Sequence, residues 1–334
     1  MASGVSEWFA LAQQVAATTR ALPEAVRRHM IVTPLISLRA AAGPGDAEIL
    51  LKCEHQQNTG SFKVRGALAK LRSLGNDQRH RGVITASTGN HGAGVAYALA
   101  ALGGAGIVCV PEGASPVKVA AIRRYGAEVR VLGREPVEGE ILARRLAARE
   151  HLPYISPYND LNVIAGQGTV GEEIVRQAGD RRVDTVVAAV GGGGLISGVA
   201  AAVKSAWPDV RVVGASPAND AAMAASVRAG RVVEIDARPT LSDGTAGGVE
   251  EGSITLRLCT ELVDEWVLIE EPEIRSALRL MIDTEHQLVE GAAAVAIAAG
   301  PKVARGRPGQ TIAVVSCGAN IGSQTLAAAL ASAG

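Results

Sequence analysis

Short apolar runs alternate along this chain with longer stretches whose apolar residues fall at helical spacing. Residues 5–28 read as helical with a break at Pro23. The Thr33-Pro34-Leu35 step forces an extended or turn conformation, because the residue before a proline avoids the helical region. Residues 48–54 form an apolar strand that feeds a polar, glycine-bearing turn, and 62–74 then read as a helix with Ser61 at its N-cap. A regular alternation follows: strand 82–87, helix 91–102, strand 106–110, helix 115–125, strand 128–132 and helix 137–151. After an irregular stretch, 154–168, the pattern resumes with helix 168–178, strand 184–190, helix 195–206, strand 210–215 and helix 218–229. Residues 238–252 are irregular; helices at 271–287 and 291–299, a strand at 311–316 and a helix at 321–333 close the chain.

Strands that alternate with helices imply right-handed crossovers and a mostly parallel sheet, so the fold class is α/β. The strands lack clean polar alternation, as expected when helices cover both faces. The irregular stretch 154–168 is the expected seam between two lobes.

Composition narrows the function. Apolar residues make up 48% of the 334 positions, enough for a sizeable core. Lys plus Arg and Asp plus Glu balance at 33 each, and no basic patch stands out, so neither nucleic acid nor an anionic membrane is expected as a partner. The apolar runs are too short to span a bilayer, and residues 1–20 lack the pattern of a signal peptide. Cys53, Cys109, Cys259 and Cys317 are widely spaced, which suits a reducing, cytoplasmic setting and offers no zinc motif. Small-molecule chemistry is the expectation.

Four stretches carry candidate chemistry. Lys63 follows Thr59-Gly60-Ser61-Phe62 in the first helical turn, where a cation meets the positive end of the macrodipole. Partial burial there would lower its basicity and make it a nucleophile; otherwise it is an ordinary surface lysine. Ser87-Thr88-Gly89-Asn90-His91-Gly92 collects hydroxyls, an amide and an imidazole at a helix start, a cradle for a carboxylate or phenolate. Gly191-Gly192-Gly193-Gly194-Leu195 lets the backbone approach an anion closely, and phosphate is its natural ligand. Ile196 breaks the dinucleotide fingerprint, and no acid ends the following strand, so an NAD(P)-dependent dehydrogenase is disfavoured. Cys317, in Ser316-Cys317-Gly318-Ala319-Asn320, reads as a reactive nucleophile, a neutral hydrogen-bond donor or a small core residue. A nucleophilic lysine with an anion-binding glycine loop suggests a carbonyl cofactor bearing a phosphate, pyridoxal 5′-phosphate.

On these motifs the chain resembles the serine/threonine dehydratase branch of the fold-type II (tryptophan synthase β-like) pyridoxal-phosphate enzymes. Ser61-Phe62-Lys63-Val64-Arg65-Gly66-Ala67 matches the Schiff-base motif, 87–92 the asparagine loop, 191–195 the phosphate loop and 316–320 the pyridine-nitrogen segment. The resemblance implies a large cofactor domain, 1–80 and 158–334, with a small mobile domain, 81–157, inserted into it. It implies Lys63 as the Schiff-base lysine and released general base, and Phe62 as the ring beside the cofactor. Asn90 would bond the cofactor's 3′-oxygen, and Gly191, Gly192, Gly193, Gly194 and Leu195 would donate to the phosphate. Ser87, Thr88, Asn90 and His91 would hold the carboxylate of a small amino-acid substrate. Cys317 aligns with the residue facing the pyridine nitrogen, where a neutral thiol favours β-elimination over transamination. A homodimer is also implied.

The implied reaction is dehydration and deamination of a β-hydroxy amino acid, threonine or serine, to a 2-oxo acid and ammonia. The segment Ser242-Asp243-Gly244-Thr245-Ala246-Gly247-Gly248 is expected on the substrate side, with small residues that admit something larger than serine. A resemblance to dehydratases of hydroxyectoine breakdown makes a hydroxyectoine-derived hydroxy amino acid an alternative substrate. Cysteine-synthase-like β-replacement is a separate alternative reaction, from which Phe62, Arg65-Gly66 and Gly191–Gly194 point away. The family's divalent-cation ligands fall at Ser216 and Ala222, with Asp220 between them, so no metal site is expected. An arginine associated with racemisation in some relatives falls at Gly139. Chain length leaves no room for a C-terminal regulatory domain, so feedback inhibition by isoleucine is not expected.

Overall fold

Strand sequences that are apolar on both faces select a sheet covered on both faces. The computed structural model describes residues 2–39, 47–87, 89–114, 116–134 and 136–331. Within it, β1 (Leu35–Ser37), β2 (Glu48–Lys52), β6 (Thr185–Ala189), β7 (Arg211–Pro217), β8 (Glu265–Ile269) and β9 (Thr311–Val315) make a six-stranded sheet in the order β1-β2-β9-β6-β7-β8. A second sheet has three strands, β3 (Val83–Ala86), β4 (Gly106–Val110) and β5 (Glu128–Val131). Every pairing is parallel except β1 with β2.

The helices are α1 (Ala2–Arg20), α2 (Glu24–Arg27), α3 (Lys63–Ser73), α4 (Asn76–Arg81), α5 (Asn90–Leu102), α6 (Pro116–Arg123) and α7 (Pro136–Arg149) in the first half. The second half adds α8 (Leu161–Ala178), α9 (Gly194–Ala206), α10 (Ala222–Ala229), α11 (Ile254–Leu262), α12 (Glu271–Asp283), α13 (Gly291–Ala304) and α14 (Ser323–Ala331). Alanine-rich α13 is almost wholly buried because it crosses the large sheet against β2, β9, β6, β7 and β8. The small sheet is packed by α7 through Ala143, Leu146 and Ala147, and by α5 and α6 through Ala96 and Ile122. Between α3 and α5, Val64, Leu68, Leu71, Val95 and Leu99 form a further core. Fully buried leucines of this kind contribute roughly 1.5–3 kcal/mol each.

Strand order positions the chemistry. In the large sheet β2, β9 and β6 are adjacent and parallel, with Val315 of β9 opposite Lys52 of β2 and Ala188 of β6. The lysine turn, the cysteine turn and the glycine loop follow these three strands, so they emerge side by side at the carboxyl edge, where open α/β sheets bind ligands.

Several local expectations are corrected. Ser61 is not the N-cap of α3: it is extended, bridged to Gly318, and Phe62 takes the cap position. The stretch 154–168 is not irregular throughout, because α8 begins at Leu161, capped by Asp160, whose carboxylate accepts from Asn162 N and Val163 N. Within α8, Gly166 serves close packing, since a Cβ there would lie 2.5 Å from the carbonyl oxygen of Arg65. The structure adds α4, α11 and β8 to the elements expected from the sequence. The antiparallel edge strand β1 is also a product of tertiary pairing, with Leu38 N donating to Ile49 O at 2.8 Å beyond it.

Candidate active site

The turn carrying Lys63 is held against the turn carrying Cys317. Phe62 N donates to Cys317 O at 3.1 Å and Ala319 N donates to Gly60 O at 2.9 Å, so the two segments form a short antiparallel ribbon around the Ser61–Gly318 bridge. Thr59 sits at φ 66°, a left-handed conformation stabilised by Gly60 N donating to Gln57 O at 2.8 Å and Asn320 Nδ2 donating to Thr59 O at 2.8 Å.

Beneath the lysine, Arg65 enters a buried charge cluster. Its guanidinium donates to Glu54 Oε2 and Glu173 Oε1, each at 2.7 Å, while Lys52 Nζ donates to Glu173 Oε2 at 2.5 Å. Burial disfavours all these charges, yet Glu54 and Glu173 more than offset it at Arg65 and raise its pKa, and Arg65 and Lys52 hold Glu173 below the usual carboxylate range. Two cations and two carboxylates balance inside, and they join β2, α3 and α8 next to the turn that carries Lys63.

Lys63 Nζ donates to the carbonyl of Pro157 at 2.9 Å and lies 5.1 Å from the Phe62 ring centroid. Burial lowers its pKa to about 8, opposed by the Glu290 carboxylate. About a tenth of the amine is therefore unprotonated at pH 7, far more than for an ordinary lysine, and the unprotonated form is what nucleophilic and general-base work require.

Two helix N-termini open onto the same cavity. Gly193 caps α9 at φ 81°, and Gly89 caps α5; as glycines, neither offers a side-chain acceptor to the first-turn N–H groups. The first-turn N–H groups of a helix have no intrahelical acceptor, which makes both starts anion sites. Ser87 Oγ accepts from Gly89 N at 3.1 Å. Thr88 lies outside the described residues. His91 is buried, its Nε2 donates to Ile155 O at 3.1 Å, and burial with the nearby Lys63 charge pushes its pKa down to about 3. Its ring is neutral and engaged, so any pull on a carboxylate at this residue comes from its backbone N–H. Burial raises the Cys317 pKa well above its ordinary value, and its thiol is neutral.

Glu290 was not singled out by the sequence. It is buried at the start of α13, accepts from Asn90 Nδ2 at 2.8 and 3.1 Å and from Asn320 N at 3.0 Å, and burial raises its pKa to about 7. The available signal was a lone acid, in Val289-Glu290-Gly291, preceding an otherwise apolar helix.

These groups line one cavity of about 1170 Å³: Phe62, Lys63, Ser87, Asn90, His91, Gly191, Gly192, Gly193, Gly194, Leu195 and Cys317 all face it. Asp243, Gly244 and Thr245 line it too, from the segment read as the substrate side. That segment is tethered from several directions. Asp220 Oδ2 accepts from Gly247 N at 2.8 Å, Lys118 of α6 pairs with Asp243 at 3.0 Å, and Arg144 of α7 pairs with Glu250 at 2.6 Å. Ser216, by contrast, is buried with its hydroxyl donating to Val190 O at 3.1 Å.

A lysine of lowered basicity beside an uncapped glycine-loop helix is the donor set for a phosphorylated aldehyde. Comparison with known proteins agrees. Residues 26–318 match the family model described as pyridoxal-phosphate dependent enzyme. The chain is 41% identical over 274 residues to an L-threonine ammonia-lyase of Thermotoga maritima, covering 82% of this chain and 67% of that one. It is 42% identical over 252 residues to the catabolic L-threonine dehydratase of Escherichia coli, covering 75% and 76% of the two chains. Its structure resembles that of the processed form of threonine deaminase isoform 2 from Solanum lycopersicum, with a TM-score of 0.89, 32% identity and coverage of 96% and 94%. The chain belongs to the pyridoxal-phosphate-dependent enzyme family.

Proposed function

We propose that this protein is a pyridoxal-phosphate-dependent ammonia-lyase that dehydrates and deaminates a β-hydroxy amino acid, threonine or serine first, to a 2-oxo acid and ammonia. The observation that carries the reading is the convergence of Lys63, the α9 start and the α5 start on one cavity. The names of the ammonia-lyase and dehydratase relatives support it. The residues present fit the cofactor: Lys63 would hold its aldehyde carbon, the 191–195 N–H groups its phosphate, Asn90 its 3′-oxygen and Phe62 its ring. When bound, pyridoxal phosphate withdraws electron density from the substrate's amine-bearing carbon.

The chain's own residues account for the rest. Lys63, with its lowered pKa, takes the α-proton and can return a proton to the departing hydroxyl. The α5 N–H groups, with Ser87, hold and orient the carboxylate. The neutral thiol of Cys317 would place no charge beside the ring of a bound cofactor, which would favour loss of the β-substituent over transamination. Asp243, Gly244 and Thr245 line the same cavity with little side-chain bulk at the glycine, so a larger hydroxyectoine-derived hydroxy amino acid is the alternative substrate.

We further propose that 81–157 moves as a small domain against 1–80 and 158–334, with the Lys118–Asp243 and Arg144–Glu250 pairs bridging the cleft. A homodimer is proposed on the exposed Ile31, Val32 and Leu288, near a face tied together by Gln57 bonding Ile31 and Gln56 bonding Gln287. Four unpaired, buried cysteines support a reducing, cytoplasmic location. The test is release of 2-oxo acid and ammonia from a panel of β-hydroxy amino acids. Racemisation alone, or β-replacement with an added thiol but no 2-oxo acid, would sink the proposal.

A further inference from the structure

Glu290 is the one buried carboxylate among the described residues lining the cavity, and neither proton transfer nor phosphate binding uses it. Its place is built for it. Its own N–H donates to Gly318 O at 3.0 Å, and a Cβ on Gly318 would collide with its carboxylate. Its two oxygens flank Asn90 Nδ2, while Asn90 Oδ1 accepts from Asn320 Nδ2 at 2.7 Å. Asn320 cannot turn its amide round, because the same Nδ2 donates to the carbonyl of Thr59. A flipped Asn90 would set its oxygen against the Glu290 carboxylate and its NH2 group against that of Asn320. The orientation of Asn90 is thus fixed from both ends, by a carbonyl of the lysine turn and by Glu290.

We propose that Glu290 is a positioning residue: it locks the Asn90 amide so that one N–H is held by the carboxylate and the other is presented to the cofactor's 3′-oxygen. This rests on the reading of Asn90 as a cofactor contact. Glu290 then couples the site to pH. Protonation turns one of its oxygens from acceptor to donor and loosens the grip on Asn90. The groups facing it are Asn90 on α5, Asn320 and Cys317 after β9, Lys63 on α3, Asp243 on the substrate-side loop and Lys118 on α6. Burial, which favours the neutral acid, brings this change close to neutrality.

The experiment compares wild type, Glu290→Gln and Asn320→Ala loaded with pyridoxal phosphate, recording visible absorption across neutral pH, cofactor affinity, melting temperature and steady-state rates. Glu290→Gln should still take up cofactor on Lys63, but with a changed ratio of absorption bands, no pH-dependent component near neutrality, and kcat lowered about tenfold, the size of one lost charge-assisted hydrogen bond. Asn320→Ala, which leaves the carboxylate in place, should shift the bands in the same direction and covers the case in which Glu290→Gln does not fold. Wild-type spectra and pH dependence in both variants, whatever happens to melting temperature, would reduce Glu290 to packing and overturn the inference. A wild type that takes up no cofactor overturns the reading of the whole site with it, so the two failures are distinct.

Discussion

Arg65 and Glu173 meet through guanidinium and carboxylate at 2.7 Å, with the arginine side chain fully buried, two residues along the chain from the reactive lysine. The pair ties α3 to α8, so the register of Lys63 depends on charges that never contact a ligand. Removing one partner leaves an uncompensated buried charge. Glu173→Gln or Arg65→Met should therefore cost about 3–5 kcal/mol, read as a lowered urea midpoint of the cofactor-free protein. An unchanged midpoint would contradict the account. Because Glu173's folded pKa is depressed, its stabilisation is present above the ordinary carboxylate value of 4.5 and is lost as pH falls through its lower folded value. The variant should lose less stability than wild type on acidification.

Lys63 shows the opposite sign. Its folded pKa, about 8, lies below 10.5, so the unfolded chain binds its proton first as pH falls. Lys63→Met should raise the melting temperature of the cofactor-free protein at neutral pH. Labelling of Lys63 by an amine-reactive reagent in the cofactor-free wild type should titrate with a midpoint near 8 rather than near 10.5. A midpoint close to 10.5 would remove the chemical argument for this residue.

Lys118–Asp243, which lines the cavity, and Arg144–Glu250 join α6 and α7 to one loop of the large sheet. Partly exposed pairs contribute about 0.2–1 kcal/mol each. Lys118→Ala or Glu250→Gln should raise KM by up to about fivefold with kcat nearly unchanged, and added salt should reproduce the effect in wild type. Salt-independent kinetics in all three proteins would contradict the proposed role of the pairs in moving 81–157 against the rest of the chain.

Gly193 holds φ 81°, and a Cβ there would lie 3.0 Å from Cys259 Sγ. Left-handed backbone costs an alanine about 1–2 kcal/mol, so Gly193→Ala should weaken cofactor binding about tenfold in titrations of the cofactor-free protein. Equal affinities would mean that the loop does not grip the phosphate through its backbone.

Most of the architecture was legible because buried parallel strands and their helices write an apolar alternation that needs no tertiary knowledge. The lysine, glycine and cysteine turns were legible because each follows a strand and carries residues a plain turn does not need. What escaped was set by contacts between distant segments. Ser61 became extended because Gly318 pairs with it, and 161–167 became helix because Asp160 caps it and glycines admit neighbouring helices. Glu290 escaped because its meaning lies in Asn90 and Asn320, which the chain brings to it from 200 and 30 residues away.

Glu290 also sets a stability trend. Its folded pKa, about 7, is raised above 4.5, so the stability it contributes is complete below 4.5 and is lost as pH rises through 7. Cofactor-free Glu290→Gln should show a flatter melting-temperature profile across that window than wild type. An identical slope in the two proteins would contradict the assignment of a buried, near-neutral carboxyl.

The most direct measurement is the visible spectrum of the purified protein loaded with pyridoxal phosphate, before and after borohydride, beside Lys63→Ala. The account predicts a yellow protein whose colour is discharged by reduction, with the cofactor then covalently fixed at Lys63 and no such adduct in the variant. A protein that stays colourless after reconstitution, or a Lys63→Ala variant that is modified like wild type, would contradict it.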